Sequence, residues 1–440
     1  MKQIIIFAFA FVISSLNAQE PEETSKKVWT LDECIAYALE NNITVKQAEL
    51  QKNSTEVNYK VEKSSRLPNL TGNASQNFTN GNSIDPITSD FVSQQINATS
   101  LGLNTQITLF QGNQINNQIQ QSRLLVDQYA LFEEEAMNDI TLRVTESYIQ
   151  LLYGKENISI AENNLKASQK EEERSKARFD AGSIAIKDYT DAQSQTATNQ
   201  YALITAKNDY AQQLLTLKQL LQLSPERTME IADSEGIDLN IIPSLNEVYT
   251  EALGQLPEIN ASKVNVSVAE KELDIAKGGY LPTLSLTGSI GSGYTSTRDF
   301  NFTDQLDLNL NQRVGLSLNI PIFNRNRTKA EVENAKIDID IAELALVQEE
   351  NNLYQKIETA WQNATAAQGQ MQAADVARNA ASESYRLAQK QYELGALSTT
   401  DLVISQNIYT IAEQNYIQAK YLSLLYTQLL QFYQGNEIKI

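Results

Sequence analysis

The chain has 440 residues, no histidine and one cysteine, and its 54 acids against 35 bases give a formal net charge of −19. That excludes histidine-based triads, zinc–histidine sites, internal disulfides and multi-thiolate metal centres, and it makes nucleic acid a poor ligand. Eight prolines and 17 glycines are few for this length, so long regular elements are expected.

The N-terminus reads as an address. Met1 and Lys2 precede an apolar run from Ile4 to Ile13, followed by Ser14, Ser15, Leu16, Asn17 and Ala18. This is the layout of a secretory signal, residues 1–18, cut after Ala18. As a helix the run is about 15 Å long, too short to cross a bilayer. A first helix is expected over 31–66, with Cys34 beside Ile35 and Leu39 as a buried small hydrophobe rather than a reactive thiol.

Two strands follow. Over about 70–80, Leu70, Ala74 and Phe78 alternate with Thr71, Asn73, Ser75, Asn77 and Thr79. Over about 97–109, Leu101, Leu103, Ile107 and Leu109 alternate with Gly102, Asn104, Gln106 and Thr108. A very long helix then spans 113–180, with Gly154 its only glycine, and a shorter helix covers 184–223. The same order recurs: a helix over 245–278, strands over about 283–294 and 307–320, a long helix over 325–394 and a helix over 399–432. No proline falls between 87 and 224 or after 321. At 1.5 Å per residue each long helix reaches about 100 Å, a length that demands a coiled coil or a spacer.

The chain is written twice, residues 19–235 and 236–440 forming two structural repeats. Leu31 and Leu39 align with Leu245 and Leu253, and Leu67-Pro68-Asn69-Leu70 with Leu281-Pro282-Thr283-Leu284, at one constant offset. One residue less aligns Phe110 with Phe323, Phe179 and Gly182 with Tyr392 and Gly395, and Asp188 and Gln193 with Asp401 and Gln406. Leu353, Ala360, Ala367, Ala374, Ala381 and Ala388 recur every seven residues. Their counterparts are Ile140, Ser147, Gly154, Ala161, Ser168 and Ser175. A seven-residue seam of small side chains predicts a left-handed supercoil with close backbones.

Strands near 10 residues with one greasy and one Asn/Ser/Thr/Gln face have the length and pattern of tilted membrane strands facing a wet lumen. Four strands cannot close a barrel, and a bilayer forbids open edges, so several protomers must share one barrel. The polar segments 81–90 and 295–304 read as exposed hairpin tips. The expected object is a conduit, a short barrel in an outer membrane continued by a helical tube through the periplasm.

The twofold repeat, the Leu-Pro-x-Leu motifs and the Phe/Tyr-x-x-Gly turns followed by Asp and Gln resemble the TolC-type outer-membrane efflux family over essentially the whole mature chain. The resemblance implies a mainly α homotrimer with four strands per protomer in a shared twelve-stranded barrel and antiparallel coiled coils forming an α-barrel. It places 224–244 and the tail after 432 in an equatorial belt. It further implies passive export of drugs, ions or proteins, working with a periplasmic adaptor (membrane fusion) protein and an inner-membrane RND or ABC transporter, and embedding in outer-membrane lipid. No catalysis, cofactor or metal site is implied. By motif position Asp188, Tyr392 and Asp401 match residues that constrict the periplasmic entrance, and Gly182, Ser183, Gly395, Ala396 and Ser398 fall in tip turns expected to dock the adaptor, within 181–187 and 395–400. Leu397 and Ile404 depart from the pattern, standing where a gate arginine and a second ring aspartate can occur. A salt-bridge latch through Leu397 is therefore impossible, and hydrogen bonds or packing must hold the entrance shut. For Asp188 and Asp401 the competing role is helix capping after a glycine turn. The rival to a channel is a non-pore periplasmic or surface coiled-coil scaffold or adhesin, which leaves the amphipathic strands without purpose.

Overall fold

The computed structural model describes residues 28–84, 89–232 and 241–438. The leader at 1–18 with its cut site, residues 85–88 of the first predicted tip and residues 233–240 of the predicted belt lie outside them.

Two rods dominate the molecule. Helix α3 (Gln114–Asp180) and helix α8 (Arg327–Glu393) each have 67 residues, close to 100 Å at the helical rise. Each folds back through a tight turn into a 35-residue helix, α4 (Ile186–Leu220) and α9 (Thr399–Tyr433). Of the twelve seam positions read from the sequence, all are buried except Ala374, which is half-buried. Alanine, serine and glycine at those sites let the helix pairs approach closely. A Cβ on Gly154, for example, would come within 3.3 Å of the Tyr210 ring.

Ahead of each long helix stands a broken helix rather than the single one expected over 31–66 and 245–278. The first breaks into α1 (Leu31–Asn41) and α2 (Ile43–Ser64), the second into α5 (Leu245–Gln255) and α6 (Pro257–Gly278). At the first break Asn42 is extended, accepts from the Thr44 amide and donates its carboxamide to the Leu220 carbonyl at 2.8 Å. At the second, Pro257 forces Leu256 out of the helical region and then opens α6. Beyond these breaks α2 packs on α3, α3 on α6 and α6 on α8, so this end of the rods is a linear array with α2 and α8 at its edges.

Apolar cores surround the breaks. One holds Trp29, Cys34, Val144, Tyr148, Leu151 and Leu217; the other holds Val248, Ile259, Leu353, Ile357 and Leu430. Cys34 is fully buried. Two short parallel strands, β1 (Val28–Trp29) and β4 (Glu230–Ile231), seal the first core, and the Tyr148 hydroxyl donates to carbonyls at Trp29 and Ala232 beside them. The C-terminal tail returns here, with Ile438 buried in the same core.

The remaining strands form one antiparallel sheet in the order β2 (Asn69–Ile84), β3 (Phe91–Gln111), β5 (Thr283–Thr295), β6 (Asn311–Asn319). Strand–helix junctions turn through left-handed residues, Gly112 and Asn113 before α3, and Arg325 and Asn326 before α8. Gly112 also touches the other half of the chain, where a Cβ would lie 2.2 Å from the Gly278 carbonyl oxygen.

The second hairpin tip differs from expectation. Residues 295–304 are not a plain exposed loop, and the strand expected from 307 begins at Asn311, because a helix, α7 (Phe302–Leu308), intervenes. Asn301 caps it by accepting from the Asp304 amide. Gln305 is completely buried and organises the turn, its Oε1 accepting from the Thr295 amide and its Nε2 donating to the Thr295 and Phe300 carbonyls. One buried carboxamide thus replaces the ladder that a continued strand would have supplied.

Candidate functional site: the hairpin tips and the open sheet

Both tips are built by the same backbone device. After α3 the Gly182 amide donates to the Phe179 carbonyl and the Ser183 amide to Arg178, with Gly182 at φ 71°. After α8 the Gly395 amide donates to Tyr392 and the Ala396 amide to Gln391, with Gly395 at φ 75°. These are Schellman closures, which require a left-handed residue after the helix. Ser183 tightens its turn further by donating its hydroxyl to the Arg178 carbonyl. Ser398 caps α9, accepting from the Asp401 amide at 3.1 Å and donating its hydroxyl to the Asp401 carboxylate at 2.7 Å.

The two tips adjoin. Tyr392 is 3 % exposed, and its hydroxyl lies 3.5 Å from Ser175 Oγ on α3 and 3.4 Å from Thr399 Oγ1 on α9. The Arg178 guanidinium stands 5.2 Å from the centre of the Tyr392 ring, and Arg174 reaches Glu393 at 3.7 Å. Leu397 joins Tyr385, Ala388, Tyr392 and Leu402 in a small apolar cluster. A polar cavity of about 400 Å³ opens beside it between the hairpins, walled by Lys166, Glu171, Arg174, Gln389 and Thr399. Burial pushes the Tyr385 hydroxyl above its usual range, so it stays a neutral phenol there.

Of the predicted constriction residues, Tyr392 therefore sits inside the hairpin contact. Asp188 is half-buried on the first turn of α4, and Asp401 is exposed on the first turn of α9 with its carboxylate engaged by Ser398. Both positions are acids at helix N-termini, where the macrodipole favours them. Sequence reading did not single out Arg174, Arg178 or Thr399 as partners of the tip. Ser175 was visible only as a seam position.

At the other end the sheet is bare. Leu70, Leu101, Leu103, Leu286, Ile290, Val314, Leu316 and Leu318 lie on one face by register, and all are exposed. The opposite face carries Thr71, Asn73, Asn104, Gln106, Ser289 and Arg313. Strands β2 and β6 have no outer neighbour among the described residues. Among those residues no helix is long and apolar enough to cross a membrane.

A two-faced sheet raised on rods of this length, with its apolar side uncovered, belongs to the class of outer-membrane channel proteins. The outer membrane efflux protein family model matches residues 34–222 and again 248–435, and the chain belongs to that family. It is 24% identical over 396 residues to the outer membrane efflux protein BepC of Brucella suis, covering 89% of this chain and 82% of that protein. To the outer membrane protein TolC of Vibrio cholerae it is 22% identical over 403 residues, covering 90% and 89%. Among solved structures, the CmeC outer membrane channel of Campylobacter jejuni aligns with a TM-score of 0.79 at 19% identity, over 93% of this chain and 87% of that one. VceC of Vibrio cholerae aligns at 0.76 and 17% identity, over 93% and 97%. The protein is an efflux channel of the outer membrane, in a family of channels rather than enzymes. A scaffold or adhesin without a pore finds no support among these relatives.

Proposed function

We propose that three copies of this chain close into one conduit, a twelve-stranded barrel continued by a helical tunnel, which passively carries cargo received from a periplasmic adaptor and an inner-membrane RND or ABC transporter. The observation that carries this reading is the open edge running the full height of the sheet and the upper helices. In a bilayer each unpaired backbone group costs several kcal/mol, of order, so β2 and β6 need neighbours. A membrane barrel needs at least about eight strands, so one copy is insufficient.

The edge helices support the same closure. Ile43, Leu50, Val57 and Val61 are exposed on α2, and Ile337, Ile341 and Leu344 on α8. Both sets recur at intervals of three, four or seven residues, the spacing of a coiled-coil seam. Charges of both signs flank the two stripes, Lys336, Asp338, Asp340 and Glu343 on α8 and Lys46, Glu49, Glu56, Lys60, Glu62 and Lys63 on α2. An α2 edge meeting the α8 edge of the next copy is a head-to-tail contact, which closes as a ring.

In this assembly the hairpin tips form the periplasmic entrance, with Asp188 and Asp401 contributing carboxylates to it and Tyr392 holding each pair of hairpins together. The segments 181–187 and 395–400 present Gly182, Ser183, Gly395, Ala396 and Ser398 for adaptor docking. Separation of inner and outer membranes, heat-modifiable electrophoretic migration and planar-bilayer recording test the proposal together. Outer-membrane recovery, a heat-dissociable oligomer and unitary conductance are the expected results. A soluble chain without conductance would overturn it.

A further inference from the structure

Where β2 and β3 meet the helices, the structure contains a small amphipathic cavity of about 260 Å³. Ile107, Phe110 and Ile115 form its apolar wall, and Arg66, Asn113 and Asn116 supply its polar rim. Arg66 is exposed, and one of its five N–H groups donates to Asn116 Oδ1 at 2.7 Å. Asn116 in turn donates to Asn113 Oδ1 at 2.9 Å. This chain orients the guanidinium and leaves the rest of its donor fork unclaimed by any carboxylate among the described residues.

The surrounding charge is one-sided. Although the protein is strongly acidic, no Asp or Glu occurs in residues 63–84, 91–126, 275–298 or 308–330. Those four stretches include the junctions of the four-stranded sheet with α2, α3, α6 and α8. The bases at the junctions are Lys63, Arg66, Lys277, Arg325 and Arg327, all exposed, with Lys277 paired to Asp274 at 3.8 Å and Arg327 to Glu331 at 2.9 Å. Acids return at the opposite end of the hairpins, with Asp90, Asp299 and Asp304. Apolar side chains line the same junctions, with Leu67, Tyr280, Ile322 and Phe323 between 54% and 94% exposed. An aromatic and apolar girdle beside a ring of exposed bases fits the headgroup layer of a membrane.

We propose that the Arg66–Asn116–Asn113 cavity seats the phosphate of a net-anionic glycerophospholipid in the periplasmic leaflet, with acyl chain against Ile107 and Phe110. The inference rests on the membrane-barrel reading and adds a lipid site to it. Guanidinium binds phosphate oxygens with paired N–H donors. Lys63 and Arg66 outnumber Glu62, the carboxylate of that helix turn, so phosphatidylglycerol is favoured over phosphatidylcholine.

The test is native mass spectrometry of the full assembly released from nanodiscs of mixed phosphatidylcholine and phosphatidylglycerol. The wild type should retain phosphatidylglycerol in excess of the disc composition, and the excess should fall with rising salt. Arg66→Gln should lose roughly fivefold of that preference per site, while Arg66→Lys, which keeps the charge, should preserve most of it. Equal enrichment in folded, conducting Arg66→Gln protein overturns the lipid site and leaves the barrel reading standing. No enrichment in the wild type also overturns it, as expected if the neighbouring copy fills the cavity. Failure of the wild type to enter discs at all overturns the barrel reading and this inference with it.

Discussion

Tyr392 joins the two hairpins at their tips, and two truncations separate its hydrogen bonding from its packing. Tyr392→Phe deletes contacts to Ser175 and Thr399 that are long, at 3.5 and 3.4 Å. Each contributes at the low end of the usual range, so their loss amounts to about 1 kcal/mol. That raises transient opening of the tip roughly fivefold. Tyr392→Ala also empties a nearly fully buried ring site and removes the partner of Arg178. Ring deletion of this kind costs about 3–5 kcal/mol, with about 0.5–1 kcal/mol more for the cation–π contact. Amide hydrogen exchange over residues 385–402 in the assembled protein reads both effects. The account expects the order wild type, Phe variant, Ala variant in increasing exchange, with the apolar core around Tyr148 unchanged. An alanine variant exchanging like the wild type would refute the idea that this side chain pins the hairpins.

Three further outcomes follow from the same geometry. Gly395→Val should loosen the tip by about 1–2 kcal/mol through its positive φ alone, because a Cβ there meets nothing within 4 Å; Gly395→Asn should be milder, and equal exchange protection of the turn in all three proteins would contradict this. Asp401→Asn should weaken block by multivalent cations in single-channel recordings while assembly persists, since an amide oxygen still accepts from Ser398. Carboxylates about 8 Å apart in a ring would repel by roughly 0.5 kcal/mol in water and 2 kcal/mol at an effective dielectric of 20, so unchanged block removes the ring. Glu135 is exposed as a residue, but partial desolvation of its carboxyl, with Glu258 and Glu349 close by, raises it; Asp139 adds to the effect and Lys356 opposes it. A raised acid stabilises the fold below its unfolded pKa, and that contribution is lost as pH climbs through the folded value. Glu135→Gln should therefore raise the melting temperature at about pH 8 more than at about pH 5; an equal change at both would exclude the effect.

Much of the architecture is legible in residue pattern because it follows from periodicity. The seven-residue seams from Leu353 to Ala388 and Ile140 to Ser175 announce long paired helices, and the only residues able to turn them at left-handed dihedrals at little cost are Gly182 and Gly395. The strands are readable because apolar side chains on one face alternate with polar ones on the other. What escaped reading depends on contacts distant in sequence. Asn42 looks like any polar helix residue until its carboxamide finds Leu220, and Gln305 looks like a loop residue until the Thr295 backbone surrounds it. Pro257, in contrast, carried a local signal for the second helix break, since the residue before a proline avoids the helical region. At the tip, Arg178 and Thr399 reach Tyr392 only once two separate hairpins lie side by side.

The central claim is that an open four-stranded sheet and the uncovered stripes of α2 and α8 are completed by further copies of the same chain. Native mass spectrometry of protein extracted from the outer membrane in mild detergent measures this directly. The account predicts a species of three chains that dissociates on heating; a single chain with an intact, membrane-embedded sheet would contradict it.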